Sequence, residues 1–344
     1  MKQVTLAMIG FGNVGRAFVR LIQEKSALLE KEFDLELIVT GIYTARHGAA
    51  IDSSGINLTR ALELFENGQK LDSLSSQPAP ANGVDFVYAC SAGVLLENSP
   101  VNHHTGQPAI SHLQAALNKG MHAVTANKGP VVHAYRELTE QAAANGKRFL
   151  FESAVMDGAP IFSLFRGPLP AVELLGFHGI LNSCTNLLLE RMESGESFDA
   201  AVDYARTIGI AETDPSADVD GWDAAIKVAA LATVLMGIPL KPQQVQREGI
   251  RAITPQMLAE ARAAGERWKL VCTAKRRGGQ ILEARVRPER VGPDSPLYSI
   301  GGTSSYVQFE TDVLPGLGIV ESNPGPQTTA YGLLADLLNA LRGQ

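Results

Sequence analysis

The stretch Gly209-Ile210-Ala211-Glu212-Thr213-Asp214-Pro215-Ser216-Ala217-Asp218-Val219-Asp220-Gly221-Trp222-Asp223-Ala224-Ala225-Ile226-Lys227 crowds acidic residues and one lysine around an Asp-Pro turn. The apolar run Val228 to Met236 then carries the chain away. Asp220 stands where a helix N-cap is expected, Asp223 three residues on, and Lys227 one turn later at i,i+4. Glu212 precedes the turn and reaches this face only if the loop folds back over the helix start. A capped surface helix with a solvated ion pair is the ordinary meaning of such a pattern. Here the segment after Lys227 is too apolar for a surface helix. The reading is a buried helix with a polar cluster at its mouth, a setting suited to proton transfer.

Working outward from that helix, the first half of the chain reads as an alternating β/α pattern. Val4 to Ile9 is a short apolar strand that feeds directly into Gly10-Phe11-Gly12-Asn13-Val14-Gly15, and a helical pattern follows with Ala17, Phe18, Leu21 and Ile22 apolar. Between a strand and a helix, G-x-G-x-x-G permits a tight turn and lets a pyrophosphate approach the helix N-terminus. All six residues are candidate cofactor contacts. Leu35 to Tyr43 is the second parallel strand. It ends in Tyr43-Thr44-Ala45-Arg46-His47, without the acid that would bind the ribose hydroxyls of NAD. Arg46 is placed to pair with a 2′-phosphate, so NADP is the expected cofactor and NAD the alternative.

Asp85 to Ser91 reads as a further strand, with Cys90 and Ser91 at the cofactor edge. Ala109 to Lys119 is a helix ended by Gly120, and the strand Met121 to Thr125 delivers Lys128 to the crevice side of the sheet. Arg136 to Asn145 is a helix, and Phe149 to Val155, with Glu152 inside it, closes this half as a last strand. The second half is α+β. Pro255 to Ala264 is helical, Trp268 to Lys275 and Gln280 to Arg287 form a hairpin around Arg277-Gly278-Gly279, and Ser305 to Val313 is a strand. The expected fold is α/β: a Rossmann-type nucleotide-binding domain at 1–150 and an α+β catalytic and dimerisation domain at 151–323.

The bulk numbers agree with a two-domain globular chain. It has 344 residues, 45% of them apolar and 19% charged. A net charge of −6 argues against a nucleic-acid partner or an anionic membrane surface. No apolar run reaches the roughly 20 residues needed to span a bilayer. With Val4 to Ile9 read as a strand directly after the first residues, no secretory leader is expected. Cys90, Cys184 and Cys272 show neither paired nor metal-ligand spacing. A cytoplasmic location with reduced thiols is expected.

The stretch quoted first resembles the signature of homoserine dehydrogenases, roughly G-x-A-E-x-D-P-x-x-D-x-x-G-x-D-A-A-x-K. Gly209, Ala211, Glu212, Asp214, Pro215, Asp218, Gly221, Asp223, Ala224, Ala225 and Lys227 all stand where that pattern requires them. Thr125-Ala126-Asn127-Lys128-Gly129-Pro130 looks like a second motif of that family. Gly179-Ile180-Leu181-Asn182-Ser183-Cys184-Thr185-Asn186 resembles a third, G-I-L-N-G-T-T-N, with Ser183 and Cys184 in place of Gly and Thr.

The resemblance implies interconversion of L-homoserine and L-aspartate 4-semialdehyde with NADP. Glu212 and Asp218 are suited to hold the substrate ammonium. Lys227 and Lys128 are the cations able to protonate or polarise the developing alkoxide, with Asp223 orienting Lys227 at the substrate. It also implies a homodimer, and a loop ending in Gly325 that returns the C-terminal helix, within 324–344, to the cofactor domain. A cation-holding V-G-G-G-x-P loop is implied too, but this chain has Val155-Met156-Asp157-Gly158-Ala159-Pro160. Glu152, Val155, Asp157 and Ala159 are the candidate ligands of a monovalent cation there. The chain has no expected room for a regulatory domain. Two rivals remain: another amino-acid dehydrogenase of similar architecture, and a nucleotide-sensing regulator that keeps the fold without the catalysis.

Overall fold

The computed structural model describes residues 1–211, 214–277 and 282–342. The chain divides into two compact units, residues 1–160 with 326–344, and residues 161–325.

In the first unit, β1 (Lys2–Ile9), β2 (Leu35–Thr44), β3 (Gly48–Ile51), β4 (Val94–Glu97), β5 (His122–Thr125) and β6 (Phe149–Leu150) form one sheet in the order β3-β2-β1-β4-β5-β6. Every neighbouring pair is parallel except β2 with the antiparallel β3. The chain leaves β1 towards β2 on one side and returns to β4 on the other. That reversal opens a crevice at the carboxyl ends of β1 and β4, where doubly wound sheets take their ligands. Val4, Leu6 and Met8 of β1 pack with Phe18 and Ile22 of the helix Asn13–Glu24. The apolar helical pattern expected after the glycines breaks at Lys25, and a second helix, Ser26–Phe33, follows.

Two expectations for this unit are corrected. Asp85 to Ser91 is not a strand: Gly83–Ala89 is a helix, capped by Asn82, whose side chain accepts from Asp85 N at 3.0 Å. The β-prone residues Phe86 and Val87 are buried on one face of that helix, and a capped start outweighs their weak intrinsic preference. The strand is instead the apolar run Val94–Glu97. Likewise the last strand stops at Leu150, and Glu152–Ala154 is a 3₁₀ turn. It turns because Glu152 N donates to Asp336 Oδ2 at 2.5 Å and Ser153 Oγ to Thr329 O at 2.8 Å, tying it to the helix Pro326–Leu341. Arg148 donates to Asn339 O at 2.6 Å and Arg342 O at 2.9 Å at the other end of that helix. The unit therefore runs past residue 150 to Pro160.

In the second unit, β7 (Leu174–Ile180), β8 (Gln246–Arg247), β9 (Arg267–Arg276), β10 (Leu282–Val291), β11 (Ser305–Thr311) and β12 (Leu317–Glu321) form a mixed sheet in the order β12-β11-β7-β9-β10-β8. All neighbours are antiparallel except β8 with β10. The turn expected at Arg277-Gly278-Gly279 lies mostly outside the described residues. The helices Ser183–Glu193, Trp222–Leu235 and Pro255–Ala263 pack against β9. Nine of the fourteen residues of Trp222–Leu235 are buried, which makes it the interior element that its apolar sequence requires.

Candidate active site

The glycines of the first unit divide the work of a nucleotide-binding turn. Gly10 has φ 91°, and a Cβ there would lie 2.4 Å from Asn98 O. A Cβ on Gly15 would lie 2.5 Å from Gly10 O, so the helix start packs directly on the turn. Gly12, the N-cap of Asn13–Glu24, faces open space: an added Cβ meets nothing within 4 Å. First and third glycine thus close the turn, and the middle one leaves room for an anion at exposed helix N–H groups. Phe11 is buried and stacks edge-on against Phe65. Asn13 accepts from Arg16 Nη2 at 2.8 Å, and the Arg16 guanidinium lies over Phe65, 4.7 Å from its ring centre. Arg46 is exposed in the turn between β2 and β3.

Two cofactor candidates sit elsewhere. Cys90 and Ser91 precede β4 and lie towards its amino end, because the element before them is a helix. Cys90 is buried behind β2, where a Cβ on Gly41 would lie 2.3 Å from its Sγ, and burial pushes its thiol up to about 12. Ser91 O accepts from Thr40 Oγ1 at 2.9 Å. The carboxyl end of β4 is Glu97-Asn98-Ser99. There both side-chain polar atoms of Asn98 and the Ser99 hydroxyl are shielded from water without a partner among the described residues. Their position at the carboxyl end of β4 makes them candidate contacts for a ligand in the crevice. The sequence reading missed both. The run Val94 to Glu97 was the available signal.

Beneath them Glu97 is fully buried, accepting from Ser99 N at 3.2 Å and from Thr125 Oγ1 at 3.3 Å. Asn127 donates to Ser99 O at 3.0 Å and caps the short helix Lys128–His133 by accepting from Gly129 N at 3.0 Å. That network fixes the half-buried Lys128 at the carboxyl end of β5.

The second unit carries the acid–lysine cluster. Asp223 and Lys227 lie on one face of Trp222–Leu235, Asp223 Oδ2 to Lys227 Nζ at 2.9 Å, each side chain 15% exposed. Lys227 Nζ also donates to Leu181 O at 2.7 Å. Asn182 Nδ2 donates to Asp218 Oδ1 at 2.6 Å and to Asp223 Oδ2 at 2.9 Å. Cys184 is buried beside Asp218, and burial first, then that carboxylate, push its thiol far up. Its thiolate is therefore disfavoured, which argues against a nucleophilic role.

Asp220 is not the helix cap. Gly221 takes that position at φ 77°, and Asp220 ends the preceding turn, Ser216–Val219, where its carboxylate pairs with Arg251. Glu212 lies outside the described residues.

In the implied cation loop, Met156 and Asp157 are left-handed, at φ 52° and 45°. The Asp157 carboxylate accepts from Thr328 Oγ1 at 3.2 Å, while Glu152, Val155 and Ala159 are buried. Among the described residues no three His, Cys, Asp or Glu side chains are grouped to hold a metal ion. Gly325 precedes Pro326–Leu341, with open space where a Cβ would be.

A Rossmann-type unit with an open glycine turn, joined in one chain to a mixed-sheet unit bearing a half-buried lysine–carboxylate cluster, defines a dinucleotide-dependent oxidoreductase. Residues 10–152 match the model of the homoserine dehydrogenase NAD-binding domain, and residues 160–338 match that of homoserine dehydrogenase itself. The chain belongs to the homoserine dehydrogenase family. It is 36% identical to the homoserine dehydrogenase of Methanocaldococcus jannaschii over 337 residues, covering 97% of each chain. It is 32% identical to the NAD(+)-dependent homoserine dehydrogenase of Pseudomonas canavaninivorans, covering 98% of this chain and 96% of that one. A hyperthermophilic archaeal homoserine dehydrogenase in complex with NADPH superposes with a TM-score of 0.82 at 29% identity, covering 98% of both chains.

Proposed function

We propose that the chain interconverts L-homoserine and L-aspartate 4-semialdehyde, preferring NADP(H) over NAD(H), with Lys227 as the proton donor in the reductive direction. The observation that carries this reading is the Lys227–Asp223 pair, held at 2.9 Å with its lysine also fixed to a main-chain carbonyl. The bound dinucleotide supplies or accepts the hydride. Lys227 holds the proton for the carbonyl oxygen and stabilises the charge that develops there. Asp223 orients Lys227. Asp218, with Glu212, binds the substrate ammonium. Lys128, the other cation among the candidates, is the alternative proton donor. Gly10 to Gly15, Asn98, Ser99 and Gly325 contact the dinucleotide, and Arg46 takes the 2′-phosphate, since no acid ends β2.

The chain works as a cytoplasmic homodimer in this reading. A monovalent cation sits at the 152–159 turn on oxygens of Glu152, Val155 and Ala159, with Asp157 tied instead to Thr328. Replacing potassium or sodium by a bulky organic cation tests that part: unchanged activity and melting temperature would remove it.

The main test is the nicotinamide absorbance change on mixing protein, L-homoserine and NADP. Turnover of a different amino-acid alcohol, with homoserine inert, would favour the rival dehydrogenase. Nucleotide binding without any turnover would favour the sensor.

A further inference from the structure

We infer that Asn182 is a positioning residue, a neutral bridge that holds Asp218 and Asp223 ionised side by side and thereby fixes Lys227. This rests on the proposed reaction but concerns a residue to which no role in it has been given.

Asn182 is 3% exposed and follows β7 directly. Its Oδ1 accepts from Thr185 N and from Thr185 Oγ1, both at 2.8 Å, which caps the helix Ser183–Glu193. Its Nδ2 donates one hydrogen to Asp218 Oδ1 at 2.6 Å and the other to Asp223 Oδ2 at 2.9 Å. Both donors and both acceptor sites of the carboxamide are therefore used. A side chain saturated in this way has one orientation, set by the helix cap, and it transmits that orientation to two carboxylates on two other elements.

The two acceptor oxygens can be no farther apart than the two bonds to their shared nitrogen. Like charges that close disfavour joint ionisation, and a hydrogen-bond donor between them restores it. The amide donates without adding charge, which neither a lysine nor a carboxylate at this position could do. Asp223 Oδ2 takes the Asn182 hydrogen and also faces Lys227 Nζ, and Leu181 O, one residue away, receives the same ammonium. Leu181-Asn182 thus grips the lysine by its main chain and the carboxylates by its side chain. Without the amide, Asp223 is expected to take a proton or turn aside. Lys227 then loses its orienter while the substrate ammonium loses the aligned Asp218.

Glu212, which binds the ammonium with Asp218 in the proposed reaction, lies outside the described residues. Burial pushes the Cys272 thiol on β9 up to about 12 and raises that of Cys184 as well, so both thiols stay protonated throughout an enzyme assay. Asp220 is held by Arg251.

Asn182→Ser separates the two jobs of the side chain. Serine is as good an N-cap and keeps the acceptor for Thr185 N, but it cannot bridge both carboxylates. The NADPH affinity of Asn182→Ser should stay near that of the parent protein, while its melting temperature falls modestly with the two lost bonds. Its kcat for semialdehyde reduction should fall roughly tenfold or more, with KM for the amino acid rising. The acidic limb of its pH profile should move up by about one unit, the size expected for one lost charge-assisted bond. Asn182→Asp, which keeps the cap and adds a third negative charge, should be worse at neutral pH and recover partly on acidification.

Carbon-13 carboxyl shifts read the same change without turnover. In Asn182→Ser one aspartate of the pair should titrate at higher pH than in the parent protein. If the parent fails to turn over homoserine but that titration moves, the substrate assignment falls and the bridge stands. If Asn182→Ser keeps the parent pH profile and carboxyl titrations, the bridge is refuted.

Discussion

Replacing Lys227 by Met tests the chemistry most directly. Methionine keeps much of the length and apolar stem and removes only the ammonium. The structure sets two consequences apart. The first is local: Leu181 O and Asp223 Oδ2 each lose a partner, at 2.7 and 2.9 Å. Asp223 keeps its bond from Asn182 and is 15% exposed, so its charge is not stranded. The expected loss of stability is about 1–3 kcal/mol. The second is catalytic: a positioned general acid contributes typically about 10²–10⁴-fold, or roughly 3–5.5 kcal/mol of barrier. The two separate experimentally, because the stability loss appears in chemical denaturation and the barrier in kcat at saturating substrate. NADPH binding, followed by fluorescence, should barely change, since the glycine turn belongs to the other unit. Lys128→Met is the paired variant. If Lys227→Met turns over at a near-normal rate while Lys128→Met abolishes turnover with NADPH binding intact, the two lysines must exchange roles.

Arg46→Ala should lower the NADP-over-NAD ratio of kcat/KM by about 10- to 150-fold, from the roughly 1.5–3 kcal/mol of a charge-assisted phosphate contact; an unchanged ratio would remove Arg46 from the site. Gly12→Ala should melt like the parent protein yet bind NADPH poorly, because its Cβ enters space left for the cofactor, whereas Gly15→Ala should lose stability even without cofactor, its Cβ lying 2.5 Å from Gly10 O. Equal melting temperatures for the two variants would contradict that division. Lys269, buried and bonded to Asn186 Oδ1 at 2.8 Å, has its pKa lowered by burial to about 8. Its folded value lies below its unfolded one, so the unfolded chain binds more protons between about 8 and 10.5 and stability gains a contribution as pH rises through that window. Subtracting the pH dependence of a Lys269→Met variant should reveal that gain, up to roughly 3 kcal/mol. A difference curve flat between pH 7 and 10 would show that the lysine is not so perturbed.

The parts of the site that follow local rules could be read from the sequence. A strand followed by three spaced glycines has one economical geometry, and Asp223 with Lys227 at i,i+4 must share a helix face. Positions that depend on tertiary partners were harder. Phe86-Val87-Tyr88 looks like a strand until Asn82 and Asp85 are recognised as a cap, and with the strand misplaced, Cys90 and Ser91 are expected at a carboxyl strand end where the structure has Asn98 and Ser99. Asp220 reads as a cap because Asp caps helices, but Arg251, thirty-one residues on, takes its carboxylate. Asn182 sat in a quoted motif without a role, because its partners Asp218 and Asp223 are 36 and 41 residues away in the chain.

The helix Pro326–Leu341 closes a unit begun by the first residue, and this has a consequence for biosynthesis. A ribosome makes β1 to β6 before residues 161–325, yet the helix whose Asp336, Thr329 and Asn339 receive bonds from Glu152, Ser153 and Arg148 is made only after them. Until then the buried Ala330, Leu333, Leu334 and Leu337 are missing from that core. Residues 161–325 form a unit of their own and can complete their sheet in the meantime. Closing so long a loop adds entropy only logarithmically with its length, so the delay is one of timing more than of final stability.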